Sequence, residues 1–389
     1  MKIGIVTYVK CDNYGAELQA YALQWKLNKL GYDAEVIDLQ KIEKDLASNA
    51  SSIVPAIVNR FKILGWKAPW SIFKLAINVL KRKVTAQKNE NNIKLKHRLF
   101  IDFFENYIRH SKKHYTIEEI REATDLDYDV YIAGSDQIWN YMHTDNLDVY
   151  FLEFAKKSKA KRMSYAASIS VSHIPDSRQN LYKKLLPNIR YLSVRELQGA
   201  KIIEHLTGRK AEVVLDPTLL INSDEWTENV VRLPEIKEKY VLVYTLSGSS
   251  YIKRLSQYVA KSLNCKIVDM RIDFQKNKDG NVITCYDLGP REWVGLISKA
   301  QYVITDSFHG TAFSINFNKP FTTLVNPVSN MNSRVLSILE ITQLTSRVIY
   351  DDGDNIMPKD LTIDFRPVNQ IIERWRKKSI DFIHKSLQE

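Results

Sequence analysis

Hydrophobic spacing changes period twice within the first forty residues. Ile3, Ile5 and Val6 lead an apolar run to Tyr8, which predicts a short buried strand. Lys10-Cys11-Asp12-Asn13-Tyr14-Gly15 is polar and predicts a loop. Leu18, Ala22, Trp25, Leu27 and Leu30 then supply the apolar positions of a helix, and Gly31 predicts its left-handed stop. Residues 34–39 predict the next strand. Strand, turn, helix, strand is the opening of a doubly wound parallel sheet, in which ligands bind at the carboxyl ends of strands. The turn lacks the GxGxxG spacing of a dinucleotide site.

The alternation resumes after a break. Val130-Tyr131-Ile132-Ala133 predicts a buried strand that delivers Gly134-Ser135-Asp136-Gln137-Ile138-Trp139-Asn140, and residues 163–168 and 191–194 predict two more. A second series follows: strands at 211–215, 240–246 and 265–270, a helix at 250–263, and a strand at 300–305 that delivers Asp306-Ser307-Phe308-His309-Gly310. A helix from Thr311, a strand at 321–325 and a long terminal helix at 367–387 complete it. The pattern predicts two α/β domains facing each other across a cleft, residues 1–195 and 196–345, with a tail at 346–389.

Composition narrows the function classes. With 44% apolar and 26% charged residues in 389, the chain is neither disordered nor fibrous. Three cysteines without a CxxC point to a reducing compartment. The start does not read as a signal peptide and no 18-residue apolar run occurs, so a cytoplasmic protein is expected. The net charge of +11 is local: residues 41–115 hold 16 basic and 5 acidic side chains, and the rest balances. Residues 53–84 hold seven basic residues and no acid. From Ser71, the residues Lys74, Asn78, Lys81 and Arg82 share one helical face against Ile72, Phe73, Ala76, Ile77, Val79 and Leu80. With Trp66, Trp70 and Lys83, this composition suits helices lying on an anionic membrane surface. The alternative is a cover over an apolar flank or a subunit interface. Residues 85–115 predict a further basic helix. Basic residues interleaved with aliphatics do not form a nucleic-acid reading surface.

The chemical candidates sit at predicted strand ends. His309, in Ser307-Phe308-His309-Gly310, stands where a strand meets a helix and can face an anion beside free backbone N–H groups, with Gly310 allowing close approach. Arg195, in Ser193-Val194-Arg195-Glu196, can grip a carboxylate or phosphate with two N–H groups, and an Arg–Glu surface pair is the alternative. Asp136 and Asn140 either shape a turn or orient sugar hydroxyls. His110 and His114 lack the HExxH context, so no metal is expected, and no P-loop or GxSxG element occurs.

Taken in order, Asn13-Tyr14-Gly15-Ala16 with Leu18-Gln19-Ala20-Tyr21-Ala22-Leu23, Gly134-Ser135-Asp136-Gln137-Ile138-Trp139-Asn140, Ser164-Tyr165-Ala166-Ala167-Ser168, Ser193-Val194-Arg195-Glu196, Asp216-Pro217-Thr218 and Ser307-Phe308-His309-Gly310 resemble the polysaccharide pyruvyl transferase family. The resemblance runs from residue 1 to about 345, apart from the basic stretch 41–115. It implies two Rossmann-like domains of GT-B type, the first on the acceptor side and carrying the basic helical insertion, the second on the phosphoenolpyruvate side. It also implies transfer of pyruvate from phosphoenolpyruvate to a sugar of a bacterial surface-polysaccharide precursor, usually as a cyclic ketal, here expected 4,6-linked on a hexose, with release of phosphate. The family's contacts to phosphoenolpyruvate carry over to Arg195 and His309, and Arg334 in Asn332-Ser333-Arg334-Val335 is placed with them; Ser307 and Gly310 flank the histidine. Asp136 is the expected base, and Asn13, Tyr14, Gln137, Trp139 and Asn140 are the expected acceptor contacts. No cofactor is required, since phosphoenolpyruvate is a co-substrate.

Two other classes compete: a GT-B-like glycosyltransferase using a nucleotide sugar, and a non-catalytic module assembled on membranes. The membrane expectation includes a polyprenyl-diphosphate-linked acceptor met at the inner face of the cell membrane. Each basic residue near an anionic leaflet contributes about 1 kcal/mol, so half of the seven add roughly 3 kcal/mol before any apolar burial. Flotation should therefore recover the protein with anionic liposomes at low salt and lose it with neutral ones. Unchanged binding after Lys74, Lys81, Arg82 and Lys83 are all replaced by Glu would refute the membrane contact.

Overall fold

The computed structural model describes residues 1–40, 90–233, 235–246, 250–270, 280–285, 287–327, 329, 332–351 and 356–389. Trp66, Trp70, Lys74, Lys81, Arg82 and Lys83, expected at a membrane, lie outside the described residues. Among the described residues no helix is long and apolar enough to cross a membrane.

Two parallel sheets organise the chain. In the first, β2 (Asp33–Val36), β1 (Lys2–Val6), β3 (Val130–Ala133) and β4 (Lys161–Ser164) lie side by side in that order, all parallel. Bridges from Met163 to Tyr191 and from Ala167 to Val194 carry this layer on to β5 (Ser193–Val194), which pairs with β6 (Glu212–Val213). Ile202, Ile203 and Leu206, on the helix Leu197–Thr207 between β5 and β6, share a core with Ile169 and Leu186. The expected boundary after residue 195 thus falls inside this layer, which extends to β6.

The second sheet has the order β12 (Val348–Tyr350), β11 (Phe321–Val325), β10 (Tyr302–Thr305), β7 (Tyr240–Tyr244), β8 (Lys266–Asp269) and β9 (Val282–Thr284), again all parallel. β9 and β12 have three residues each, too short to show a periodicity. The helix Pro290–Lys299, begun at Gly289-Pro290, was also not anticipated. The long helix Phe365–Gln388, expected in a tail, returns to the first half. Its Ser379 hydroxyl accepts from the Leu215 N–H (3.0 Å), and Lys161 Nζ donates to the Leu387 carbonyl (2.8 Å).

The helix Tyr14–Lys29 joins the two units. Between Tyr14 and Leu27 every residue but Trp25 is buried, the signature of a helix enclosed on all sides rather than laid on a surface. Tyr21 meets Trp226, and Tyr14 stacks on Trp293 with ring centroids 5.2 Å apart, donating its hydroxyl to the Leu288 carbonyl (2.9 Å). Gly31, just past its end, has φ +88°, as a left-handed stop requires. The described end of the basic stretch, the helix Glu90–Tyr107, buries Phe100, Phe103 and Phe104 in the first half. It also sets Lys96 over the Tyr14 ring and His97 against Asp12 (2.9 Å). This part of the insertion covers an apolar flank.

Candidate active site

Three strand ends of the first sheet converge on one arginine. Arg195, just beyond β5, is buried. Its Nη1 donates to Asp216 Oδ2 at 2.7 Å, and its Nη2 reaches Asp136 Oδ1 at 3.3 Å. Asp216, beyond β6, also accepts from the Ser135 hydroxyl (2.8 Å) on Oδ2 and from the backbone N–H and hydroxyl of Thr218 (3.0 and 2.7 Å) on Oδ1. Pro217 follows as the first residue of a short helix that Asp216 caps. Burial is the largest influence and raises this carboxyl, but the Arg195 charge, that of His309 once protonated, and the hydrogen bonds from Thr218 and Arg195 together hold Asp216 down at about 2. Burial acts the same way on Asp136, but the charges of Arg195 and Arg334 and a hydrogen bond from the Gln137 backbone outweigh it, so its carboxyl is held below the usual carboxylate range and is ionised at pH 7. Asp136 has φ +77°, an uncommon conformation for a residue other than glycine, and one that marks a position held by its surroundings.

The second unit supplies the opposite wall. Ser307 caps the helix Phe308–Asn316 by accepting from the Gly310 N–H (3.4 Å). A side chain at Gly310 would overlap Thr305, so this glycine is needed for close packing of helix on strand. Phe308 lies 4.5 Å from the Arg195 guanidinium, a cation–π contact between the two units. His309 is buried with Nε2 3.9 Å from Asp216 Oδ2. Desolvation lowers its imidazole to about 4, so the ring is neutral at pH 7 and that approach is not an ion pair. Arg334, on the helix Ser333–Ile341, is lowered to about 10 by burial and by the like charge of Arg195. Among the described residues Arg334 has no carboxylate within ion-pair distance, and Arg195 Nε, Arg334 Nε and His309 Nε2 have no hydrogen-bond partner. Unpaired buried nitrogens of this kind are costly unless a hydrogen-bond partner meets them.

Gly15 explains the loop before the first long helix. A Cβ there would fall inside the His309 ring, so backbone of the first unit lies directly against the imidazole of the second. Asn13 caps that helix by accepting from the N–H groups of Gly15 and Ala16 (2.9 and 3.3 Å). Beside it opens a cleft with about 820 Å³ of free space, part of it continuous with solvent. Asn13, Gln137 and Asp136 line this cleft, so Asp136 stands between it and the arginine cluster.

Three expected acceptor contacts are placed elsewhere. Trp139 is wholly buried, donates its indole N–H to the Tyr150 carbonyl (3.0 Å) and stacks on Phe151. Asn140 is wholly buried too and builds a turn, donating to Gln137 Oε1 (3.1 Å) and accepting from the Met142 N–H (3.0 Å). Tyr14 is engaged in the junction between the units. None of the three lines the cleft. Sequence reasoning gave no role to Asp216 and passed over Glu17, whose buried carboxyl is pushed up to about 8 by desolvation while accepting from the Cys11 N–H (3.2 Å). An acid set among Tyr14, Gly15, Ala16 and Leu18 was the available signal.

Solved structures share this architecture: a UDP-GlcNAc 2-epimerase from Methanocaldococcus jannaschii (12% identity, 96% of this chain and 92% of that one, TM-score 0.50) and S. aureus MnaA in a UDP co-structure (12%, 100% and 97%, TM-score 0.51). A further UDP-N-acetylglucosamine 2-epimerase aligns over 98% and 94% of the two chains at 12% identity with TM-score 0.52. At that identity the likeness defines the fold, and the fold is GT-B-like. The family model for polysaccharide pyruvyl transferase matches residues 13–327, and the chain belongs to that family of transferases. A search of curated proteins returned no match.

Two predictions follow from the geometry. Gly15→Ala should displace the His309 ring and lower turnover at least a hundredfold, while the Gly15→Ala, His309→Ala double variant regains stability but not turnover; assays with thermal unfolding check both. The second concerns acid. The His309 imidazole is depressed from 6.5 to about 4, so the folded state binds fewer protons, and stability falls as pH drops through that interval. Asp216, depressed from 3.8 to about 2, adds stability above its ordinary value that is lost as pH falls further. Denaturant unfolding against pH should show both phases, and His309→Asn should remove the upper one and weaken the lower, because the protonated ring helps hold Asp216 down.

Proposed function

We propose that the chain transfers pyruvate from phosphoenolpyruvate to two hydroxyls of a sugar, forming a cyclic ketal and releasing inorganic phosphate. The observation that carries this reading is the set of unpartnered side-chain nitrogens, Arg195 Nε, Arg334 Nε and His309 Nε2, gathered in one site beside a cleft reached through Asp136. Phosphoenolpyruvate is small and carries both a carboxylate and a phosphate, so it needs several cationic donors at close range. Arg334, with no acidic partner among the described residues, is the charge that such an anion would neutralise.

The reaction needs a proton at C3, stabilisation of cationic character at C2, and loss of two hydroxyl protons. One sugar hydroxyl adds to C2 as C3 takes a proton, phosphate then leaves with the electron pair of the C2–O bond, and the second hydroxyl closes the ring. Of the two hydroxyl protons, one balances the proton gained at C3 and the other leaves with phosphate. Asp136 is assigned to orient a hydroxyl and take its proton; a carboxylate held ionised is a weak base, suited to accept as C2 turns cationic. His309 is assigned to the phosphate side. The acceptor belongs to a bacterial surface-polysaccharide precursor, lipid-linked forms included, and the basic composition of residues 41–89 supports meeting it at the inner face of the membrane.

Phosphate release from phosphoenolpyruvate should appear with a galactoside or N-acetylhexosamine acceptor and a ketal product by mass spectrometry. Arg195→Lys, which keeps the charge but loses the planar fork, should lower kcat/KM for phosphoenolpyruvate at least a hundredfold. Near-normal turnover in that variant would remove Arg195 from the site. Nucleoside diphosphate release from a nucleotide sugar, with none of the phosphoenolpyruvate chemistry, would favour the GT-B-like glycosyltransferase instead.

A further inference from the structure

We infer that the cleft beside Asp136 selects an uncharged pyranose unit and rejects one carrying an anionic ring substituent. This rests on the pyruvyl-transfer reading and adds the chemical class of the acceptor. The cleft offers amides from Asn13, Gln40 and Gln137, hydroxyl-bearing rings from Tyr8 and Tyr150, and His143, with an apolar floor that includes Val9 and Leu39. Among its described lining residues there is no Lys or Arg, and the one carboxylate is Asp136.

Two of the amides are already oriented. Asn13 spends its side-chain oxygen on the helix cap, and Gln137 spends its oxygen on the Asn140 amide, so each turns its NH2 group away from those bonds and keeps donors for a hydroxyl. Tyr8 and Tyr150 pack edge to face with centroids 4.9 Å apart, and Tyr8 bonds to the Gln137 carbonyl (3.3 Å), which fixes an aromatic corner against which the apolar face of a sugar ring can rest. Neutral hydroxyls gain fixed partners in such a site. A sulfate or carboxylate would lose its water with no cation among the described lining residues to replace it, and would do so beside an Asp136 that the arginine cluster keeps ionised.

The test compares methyl galactopyranoside with its 2-O- and 3-O-sulfates, which leave O4 and O6 free, using the full chain and phosphate release from phosphoenolpyruvate. The sulfated acceptors should show kcat/KM at least a hundredfold lower, with KM for phosphoenolpyruvate unchanged. Gln40→Lys, at the exposed rim of the cleft, should recover at least tenfold of that loss relative to the neutral acceptor. Sulfated acceptors used within threefold of the neutral one, or no relative gain in Gln40→Lys, would overturn the inference while leaving pyruvyl transfer intact. Failure of every acceptor would instead count against the transfer reading. Calorimetric binding of neutral against sulfated galactoside then decides the charge preference by itself: tighter neutral binding supports it, equal or reversed binding overturns it.

Discussion

Arg195 has no exposed side-chain surface, and its guanidinium is shared between Asp216 and Asp136. Moving such charges out of water costs several kcal/mol per ion, and their attraction repays it only when geometry is good and the remaining lone pairs are filled. Here they are: Ser135 and Thr218 complete the Asp216 carboxylate, and the Phe308 ring covers the guanidinium. A well-packed apolar cluster would stabilise the fold as much or more. Removing one partner, by contrast, strands a buried charge at a cost of roughly 3–5 kcal/mol. The assembly therefore holds positions rather than adding stability, and what it holds are the ends of β3, β5 and β6.

From that constraint the two-unit construction follows. Strand ends of the first layer fix one wall, but Phe308 and His309 come from the helix that follows β10 of the second sheet, and Arg334 from the helix Ser333–Ile341. The enclosed helix Tyr14–Lys29 makes the joint rigid enough for the walls to meet, since it is buried against both halves through Tyr14, Tyr21 and their aromatic partners. At its first turn the chain has no room for a side chain, and Gly15 admits the imidazole. The aromatic junction and the geometry of the candidate site are thus one requirement, as a shift of the helix would move backbone against His309 directly.

Periodicity carried the parallel-sheet architecture, because fully buried strands such as Val130–Ala133 and Tyr302–Thr305 lie in apolar runs that end in polar loops. It did not carry β9 or β12, which have too few residues for any period to register. Local polarity misdirected the reading of Trp139 and Asn140: a tryptophan and an amide in a loop look ready for a sugar, yet both are consumed by hydrogen bonds to nearby backbone or side chains once the loop folds inward. The role of Asp216 could not be read locally at all. It depends on Arg195 and Ser135, which lie 21 and 81 residues away in the chain.

The charge state of His309 links these features to the chemistry proposed. His309 is the second residue of the helix Phe308–Asn316, and Gly15 in the first turn of Tyr14–Lys29 lies against its ring, so it sits among helix N-termini, where a positive ring is disfavoured. Arg195 and Arg334 push in the same direction, while Asp216 and Asp136 oppose them without prevailing. The balance among the protein's own groups disfavours a positive imidazole. Under the proposed function, a phosphate dianion would reverse it: the arginines would gain a counterion, the unpartnered Nε2 would gain a partner, and protonating the ring would become favourable. On the proposed reaction, substrate binding itself would then convert a neutral histidine into the acid that the phosphate leaving group needs, with the proton loaded only when there is an anion to use it.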